Sequence, residues 1–187
     1  MSALGKLGAV RVGQGWDIHR LVSGRPLRLG GIEVPNERGL LGHSDGDVVL
    51  HAVTDALLGA MADGDIGQHF PDSDERYRDI DSGELLSEAR GRAARRGYRI
   101  GNVDVTILAE RPKLAPHLPT MQRRVAELLG VAPAQVGIKA KTAEGIGAIG
   151  GGDAIAALAV IALTARARPT AVRTRRRQRP RARVRRA

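Results

Sequence analysis

Two short stretches of this chain hold the residue types that could do chemistry. In "GQGWDIHRL", Asp17 and His19 stand two apart, and in "DVVLHAVTDALLG", His51 and Asp55 stand four apart. Residues two apart in an extended segment point to the same side, and residues four apart on a helix share a face. Alone, neither pair carries much. A D-x-H pair is commoner as surface decoration, and a helical histidine with an aspartate one turn on is commoner as a hydrogen-bonded core residue. Together Asp17, His19 and His51 offer two imidazoles and a carboxylate, a set suited to Zn²⁺ with an open fourth position. Asp55 then reads as a carboxylate that orients an imidazole.

Other clusters have both a chemical and a structural reading. "HSDGD" at 43–47 precedes a helix, so its backbone N–H groups, the Ser44 hydroxyl and the helix dipole could seat a phosphate; it is equally a capping loop. "GDIGQHFPDSD" at 64–74 mixes glycine with three carboxylates, which suits polyol hydroxyls or a plain solvated loop. "GIGAIG" at 145–150 fits a dinucleotide fingerprint, but no acidic residue follows Asp153, so the ribose partner is missing.

These groups need elements to position them. "AVRVGQGWDIHRL" reads as a strand entering a functional loop, and "RLGGIEVP" as one short strand ended by Pro35. Residues 36–46 read as a polar loop. Val48, Leu50, Val53, Leu57 and Leu58 mark the clearest helix, with Asp47 at its N-cap. The stretch from 63 to 83 is loop-like. Further helices are expected over "GELLSEARGRAARRGY" and "PHLPTMQRRVAELLG", each closed by a glycine. "RIGNVDVTILAE", with Val103, Val105 and Ile107 on one face, and "AQVGIKAKT" read as strands. "GDAIAALAVIALTA" fits either a helix or a buried strand.

The chain has 187 residues and no cysteine, which excludes disulfides and thiolate metal sites. Its net charge of +10 is misleading. Residues 166–187 hold 11 arginines and no acid, leaving the rest with 19 basic and 20 acidic side chains, a net of −1. The basic character belongs to a low-complexity tail, expected to be disordered, and not to a nucleic-acid-binding body. The longest apolar run, Ala154 to Ala165, is shorter than the about 20 residues a membrane helix needs. The start is a poor signal peptide. A soluble cytoplasmic protein is expected.

With these segments in order, the chain resembles the 2-C-methyl-D-erythritol 2,4-cyclodiphosphate synthase family of the non-mevalonate isoprenoid pathway. The matching stretches are "RVGQGWDIHRL", "GLLGHSDGDVVLHAVTDALLGA", "GDIGQHFPDSD", "GNVDVTILAERPKL" and "KAKTAEGIG", spanning residues 11 to about 165. The resemblance implies an α+β fold, a four-stranded mixed sheet with helices on one face, assembled as a homotrimer. It makes the last segment a strand. It divides the chain into an N-terminal extension (1–9), the synthase domain (10–165) and the Arg-rich tail (166–187).

The resemblance also implies roles. Asp17, His19 and His51 fall on zinc ligands, and His43 and Thr142 on residues beside the reacting phosphates. Ser44 falls on a diphosphate contact. Asp65, Gly67, Phe70, Pro71, Asp72, Ser73 and Asp74 fall on the loop that holds the methylerythritol part. Residues 109–115, with Ala109, Pro112, Lys113, Leu114 and Ala115, fall on a cytidine pocket that a neighbouring subunit contributes. Lys141, Thr142, Ala143 and Glu144 fall beside the phosphates, Glu144 as ligand of a second ion, Mg²⁺ or Mn²⁺. The implied reaction is an intramolecular phosphoryl transfer releasing CMP, a lyase activity.

Some residues depart from the family. "GAIGGGDA" stands where "GFTGRGEG" is usual, so Ala148 replaces an aromatic and Gly151 an arginine that line an axial cavity for isoprenoid diphosphates. Lys141 replaces a hydroxyl residue. The alternatives are a metal-dependent phosphohydrolase using the same ligands, and an RNA- or membrane-binding adaptor driven by the tail. A body of net charge −1 argues against the second, although the tail could attract anionic polymers weakly.

Overall fold

A long first strand presents two different faces, and the site follows from that. In the computed structural model, which describes residues 10–165, β1 runs Val10–Ser23. Gly13, Gly15, Asp17, His19 and Leu21 turn to one side, while Val12, Gln14, Trp16, Ile18 and Arg20 turn to the other. Helix α1 (Val48–Ala60) lies against the first side. A Cβ at Gly13 would sit 2.0 Å from the Ala56 carbonyl oxygen, and one at Gly15 2.0 Å from that of Ala52. Glycine on the strand and alanine on the helix therefore bring the two backbones into direct contact. That contact carries His51 over Asp17 and His19.

Asp47 begins α1 as expected. Its carboxylate accepts the N–H groups of Val49 (3.1 Å) and Leu50 (3.0 Å). It also accepts those of Gly30 (2.9 Å) and Gly31 (2.6 Å) from a neighbouring turn. The side chain is fully buried; burial holds its carboxyl above the usual carboxylate range, and the N–H groups of Gly31, Leu50 and Gly30 offset that only in part. Asp47→Ala is expected to cost about 2–5 kcal/mol, combining a lost cap with buried donors left unpaired. Urea unfolding at unchanged slope checks this, and a loss below about 1 kcal/mol would contradict it.

The turn in question corrects the sequence reading of "RLGGIEVP". Instead of one strand it is a hairpin, β2 (Leu27–Leu29) and β3 (Ile32–Val34), folded at Gly30 and Gly31 with φ of 63° and 76°. Both glycines adopt the left-handed region that tight hairpin turns need.

The sheet also differs from the four strands expected. It has five, in the order β4-β1-β7-β5-β6. The additional one is β4 (Arg38–Leu40), inside the stretch read as a loop, pairing antiparallel with the end of β1. Three residues are too few to display alternation, and Gly39 lies so close to the turn before β2 that a Cβ would sit 2.2 Å from the Pro26 carbonyl oxygen. The Ala-rich last segment is β7 (Ala154–Ala165), the central strand, antiparallel to both β1 and β5 (Tyr98–Leu108). β6 (Val136–Lys141) runs parallel to β5, so the sheet is mixed. Val103, Val105 and Ile107 share the buried face, as predicted.

The stretch read as loop between α1 and the next helix contains a short helix α2 (Ile66–His69) and a 3₁₀ turn at Glu75–Tyr77. Helices α3 (Ser82–Arg95) and α4 (Leu118–Leu129) complete the layer over the sheet, α3 packing on α1 and α4 on β6; a short turn of helix, α5 (Gly147–Gly150), precedes β7. Gly97 (φ 79°) and Gly130 (φ 66°) follow α3 and α4 in the expected left-handed conformation. On the opposite face Val12 is 64 % and Trp16 53 % exposed, with Val10, Ile18 and Val160 beside them in the exposed set. Among the described residues no helix is long and apolar enough to cross a membrane. The expected N-terminal extension and Arg-rich tail lie outside the described residues.

Candidate active site and metal centre

The three predicted ligands meet. Asp17 Oδ2 lies 2.8 Å from His19 Nε2 and 3.0 Å from His51 Nδ1, and the two nitrogens are 3.2 Å apart. Their surroundings set the protons. His19 Nδ1 faces the Leu41 carbonyl oxygen, which can only accept, so Nδ1 carries the hydrogen and Nε2 presents a lone pair. Ser82 Oγ donates to Asp45 Oδ1 and therefore accepts from His51 Nε2–H, 2.9 Å away. His51 Nδ1 thus also presents a lone pair. Three electron-pair donors converge on one point, and their chemistry fits a divalent cation.

The electrostatics agree. Burial opposes charge on Asp17 and His19, yet mutual hydrogen bonding and charge outweigh it. Asp17, beside His19 and His51, is held well below the usual carboxylate range, and His19, beside Asp17, is raised above its ordinary value. A place that favours a proton between these groups favours a metal ion there. The ligand side chains are 27 % (Asp17), 18 % (His19) and 12 % (His51) exposed, so the point is reachable from one side only.

That side is a cavity of about 300 Å³, whose wall includes His43, Ser44, Asp55, Gly67, Phe70 and Asp72. His43 Nε2 is buried without a hydrogen-bond partner, a polar atom placed for a ligand. Phe70 meets Tyr77 edge to face, with ring centroids 5.4 Å apart, and both rings wall the cavity. Tyr77, Ile80 and, from α3, Leu85 also line it; nothing in the sequence marks apolar residues of a polar loop or of a helix start as wall residues.

One local expectation is corrected. Asp55 does not orient an imidazole; it accepts the Ile66 N–H at 2.7 Å and so fixes the start of α2. The imidazoles are held instead by Leu41, Ser44 and Ser82. Ser82 lies 31 residues from His51 and carries no motif. At the start of α1, Asp47 occupies the N–H groups of Val49 and Leu50. Ser44 Oγ lies 2.9 Å from His51 Nε2.

The remaining predicted residues divide. Gly67, Phe70 and Asp72 line the metal cavity, while Asp65, Pro71, Ser73 and Asp74 do not. Asp65 caps α2, accepting the Gln68 N–H at 2.9 Å, and Asp74 pairs with Arg76. Residues 109–115, with Ala109, Pro112, Lys113, Leu114 and Ala115, line a second cavity of about 740 Å³ together with Lys141 and Thr142. The two cavities share no lining residue. Thr142 Oγ1 donates to Glu144 Oε1 at 2.9 Å, and the Ala143 N–H donates to Glu110 at 3.3 Å. Glu144 lines neither cavity.

Comparison with known proteins agrees with this arrangement. Residues 10–164 match the YgbB family. The chain is 54 % identical over 154 residues to the 2-C-methyl-D-erythritol 2,4-cyclodiphosphate synthase of Halalkalibacterium halodurans, covering 82 % of this chain and 98 % of that one. It is 55 % identical over 157 residues to that of Synechococcus sp. strain JA-3-3Ab, covering 84 % and 100 %. Among solved structures, a 2C-methyl-D-erythritol-2,4-cyclodiphosphate synthase in a CDP-bound form superposes with a TM-score of 0.76 at 40 % identity, covering 82 % and 99 %. The bifunctional IspDF of Campylobacter jejuni superposes with a TM-score of 0.82 at 36 % identity, covering 84 % of this chain, which spans 43 % of that longer one. A fold with β1 glycines under α1, a carboxylate–diimidazole set beneath a cavity, and this degree of identity place the chain in the YgbB family of 2-C-methyl-D-erythritol 2,4-cyclodiphosphate synthases.

Proposed function

We propose that this site converts 4-diphosphocytidyl-2-C-methyl-D-erythritol 2-phosphate to the 2,4-cyclodiphosphate with release of CMP, in the cytoplasm, as a phosphorus–oxygen lyase. The observation that carries this is the convergence of Asp17, His19 and His51 beneath a cavity walled by the unpartnered His43. An oxygen of the 2-phosphate attacks the β-phosphorus, and the bond from that phosphorus to the oxygen bridging to the α-phosphate breaks. CMP leaves with that oxygen. No protein nucleophile takes part, so the chain's work is to fold the substrate back on itself. Positioning of this kind supplies up to roughly 7–11 kcal/mol in favourable intramolecular cases.

Zn²⁺ held by Asp17, His19 and His51 would supply charge neutralisation and polarisation at the β-phosphate. His43 and Ser44 sit where they can donate to phosphate oxygens. Gly67, Phe70 and Asp72, on the loop that Asp65 and Asp74 cap, would hold the methylerythritol part. Residues 109–115 would enclose cytidine, with Thr142 and Lys141 beside the phosphates and Glu144 holding Mg²⁺ or Mn²⁺. A relative's CDP-bound form supports a nucleotide in this role.

A cytidine pocket and a metal set in separate cavities of one chain favour assembly across subunits. So does the exposed apolar face around Val12 and Trp16, which a lone subunit would leave in water. The protein is expected to sediment as a trimer, and Trp16→Glu to lower the trimer population together with CMP release. A fully active monomer would contradict this.

The rival is a phosphohydrolase using the same ligands. Incubation with the substrate and Mg²⁺, followed by chromatography, separates them: CMP beside the cyclic diphosphate is expected, and inorganic phosphate or an uncyclised bisphosphate would favour the rival.

A further inference from the structure

The loop between β4 and α1 does three jobs at once. Leu41, its first residue, supplies the carbonyl that fixes His19; Ser44 meets His51; and His43 lines the cavity with an unpartnered nitrogen. A loop containing Gly42 and Gly46 needs an outside brace to hold such positions, and the brace is specific. Arg25, in the turn between β1 and β2, donates from Nη1 to the Gly42 carbonyl (3.1 Å) and from Nη2 to the Ser44 carbonyl (2.7 Å). The carbonyl between them, that of His43, accepts the Asp79 N–H at 2.8 Å. Arg25 Nη2 also lies 3.8 Å from Asp79 Oδ1. Three consecutive carbonyls are thus tied down from behind, which fixes the direction of the His43 side chain.

Only a guanidinium spans two carbonyls in this way, because its N–H groups form a rigid planar fork, whereas an ammonium is a single compact head. The base of the fork is itself fixed, since the Arg25 and Pro26 carbonyls crowd the backbone of Gly39 in β4. Arg25 is absent from the walls of both cavities, so it has no direct access to a bound substrate.

We propose that Arg25 is a positioning residue of the reaction, a clamp that holds residues 42–44 so that His43 keeps its place in the wall of the metal cavity. This rests on the CMP-releasing function proposed above. A loosened loop leaves the substrate able to bind but its reacting groups less often aligned, and misplacement of about 1 Å can cost on the order of a hundredfold in rate.

The test uses the full-length trimeric protein with Zn²⁺ and Mg²⁺. Arg25→Ala is expected to lower kcat about 10- to 100-fold while KM changes less than about threefold. Zinc content and melting temperature stay close to wild type. Guanidinium ion at millimolar concentration restores part of kcat, and methylammonium does not. Arg25→Lys, which keeps the charge and most of the packing, falls between wild type and Arg25→Ala. An unchanged kcat in Arg25→Ala overturns the proposal. So does a loss that follows zinc content or melting temperature and ignores guanidinium. A wild-type protein that releases no CMP sinks the reaction and this proposal with it, whereas active wild type beside equally active Arg25→Ala sinks the clamp alone.

Discussion

His51→Ala is expected to strip the metal and to lower CMP release about a thousandfold or more, the equivalent of the several kcal/mol a Lewis acid contributes. The substitution removes one of the three donors that, among the described residues, meet at the convergence point. It leaves the buried Val49, Leu50, Val53 and Leu57 of α1 in place, so the helix keeps its packing. Circular dichroism should therefore match wild type while metal analysis falls from about one zinc per subunit towards none. Full zinc retention with normal turnover would refute the ligand assignment. Ser82→Ala makes a graded comparison. It removes the hydroxyl that accepts from His51 Nε2–H, and loss of such a partner costs about 10- to 100-fold in metal affinity.

Gly15→Ala should be nearly as damaging, for a mechanical reason. Its Cβ would lie 2.0 Å from the Ala52 carbonyl oxygen and 2.6 Å from the Ala56 amide nitrogen. Both are backbone atoms, so the helix itself must move. Overpacking a core commonly costs about 1–3 kcal/mol, and a backbone collision belongs at or above the top of that range. Shifting α1 also carries His51 away from Asp17, so zinc affinity should fall with stability. Gly59→Ala supplies the contrast. Gly59 is exposed, and a Cβ there meets only the Gln14 carbonyl oxygen at 3.7 Å. Within a helix that change should stabilise by about 0.5–1 kcal/mol. Thermal unfolding and metal content of the pair test this, and equal stability would contradict the packing argument.

The parts of the fold that announced themselves were those with long periodic patterns. α1 showed both its apolar faces and its Asp47 cap, and Val103, Val105 and Ile107 gave away β5. β4 stayed hidden because three residues cannot alternate, and the hairpin because Gly30–Gly31 was read as the interior of one strand. The Ala-rich β7 was ambiguous by composition, since alanine favours helices. Its place at the centre of the sheet, paired on both sides, overrides that propensity. Asp17 and His19 were legible as a pair because residues two apart on a strand share a side, and the resemblance joined His51 of α1 to them. The shell around it was not. Ser82, Tyr77 and Arg25 reach the site through turns whose geometry no local pattern encodes, and the family's motifs point to groups that meet the substrate, not to those that hold them.

In the proposed reaction one phosphate of the substrate attacks another, with no water in the bond-forming step. Turnover in ¹⁸O-labelled water, read by mass spectrometry of the products, tests it most directly. CMP and the cyclic diphosphate should both form without ¹⁸O. Label in CMP, in released phosphate or in an uncyclised methylerythritol bisphosphate would mean that water is the nucleophile and would contradict the mechanism.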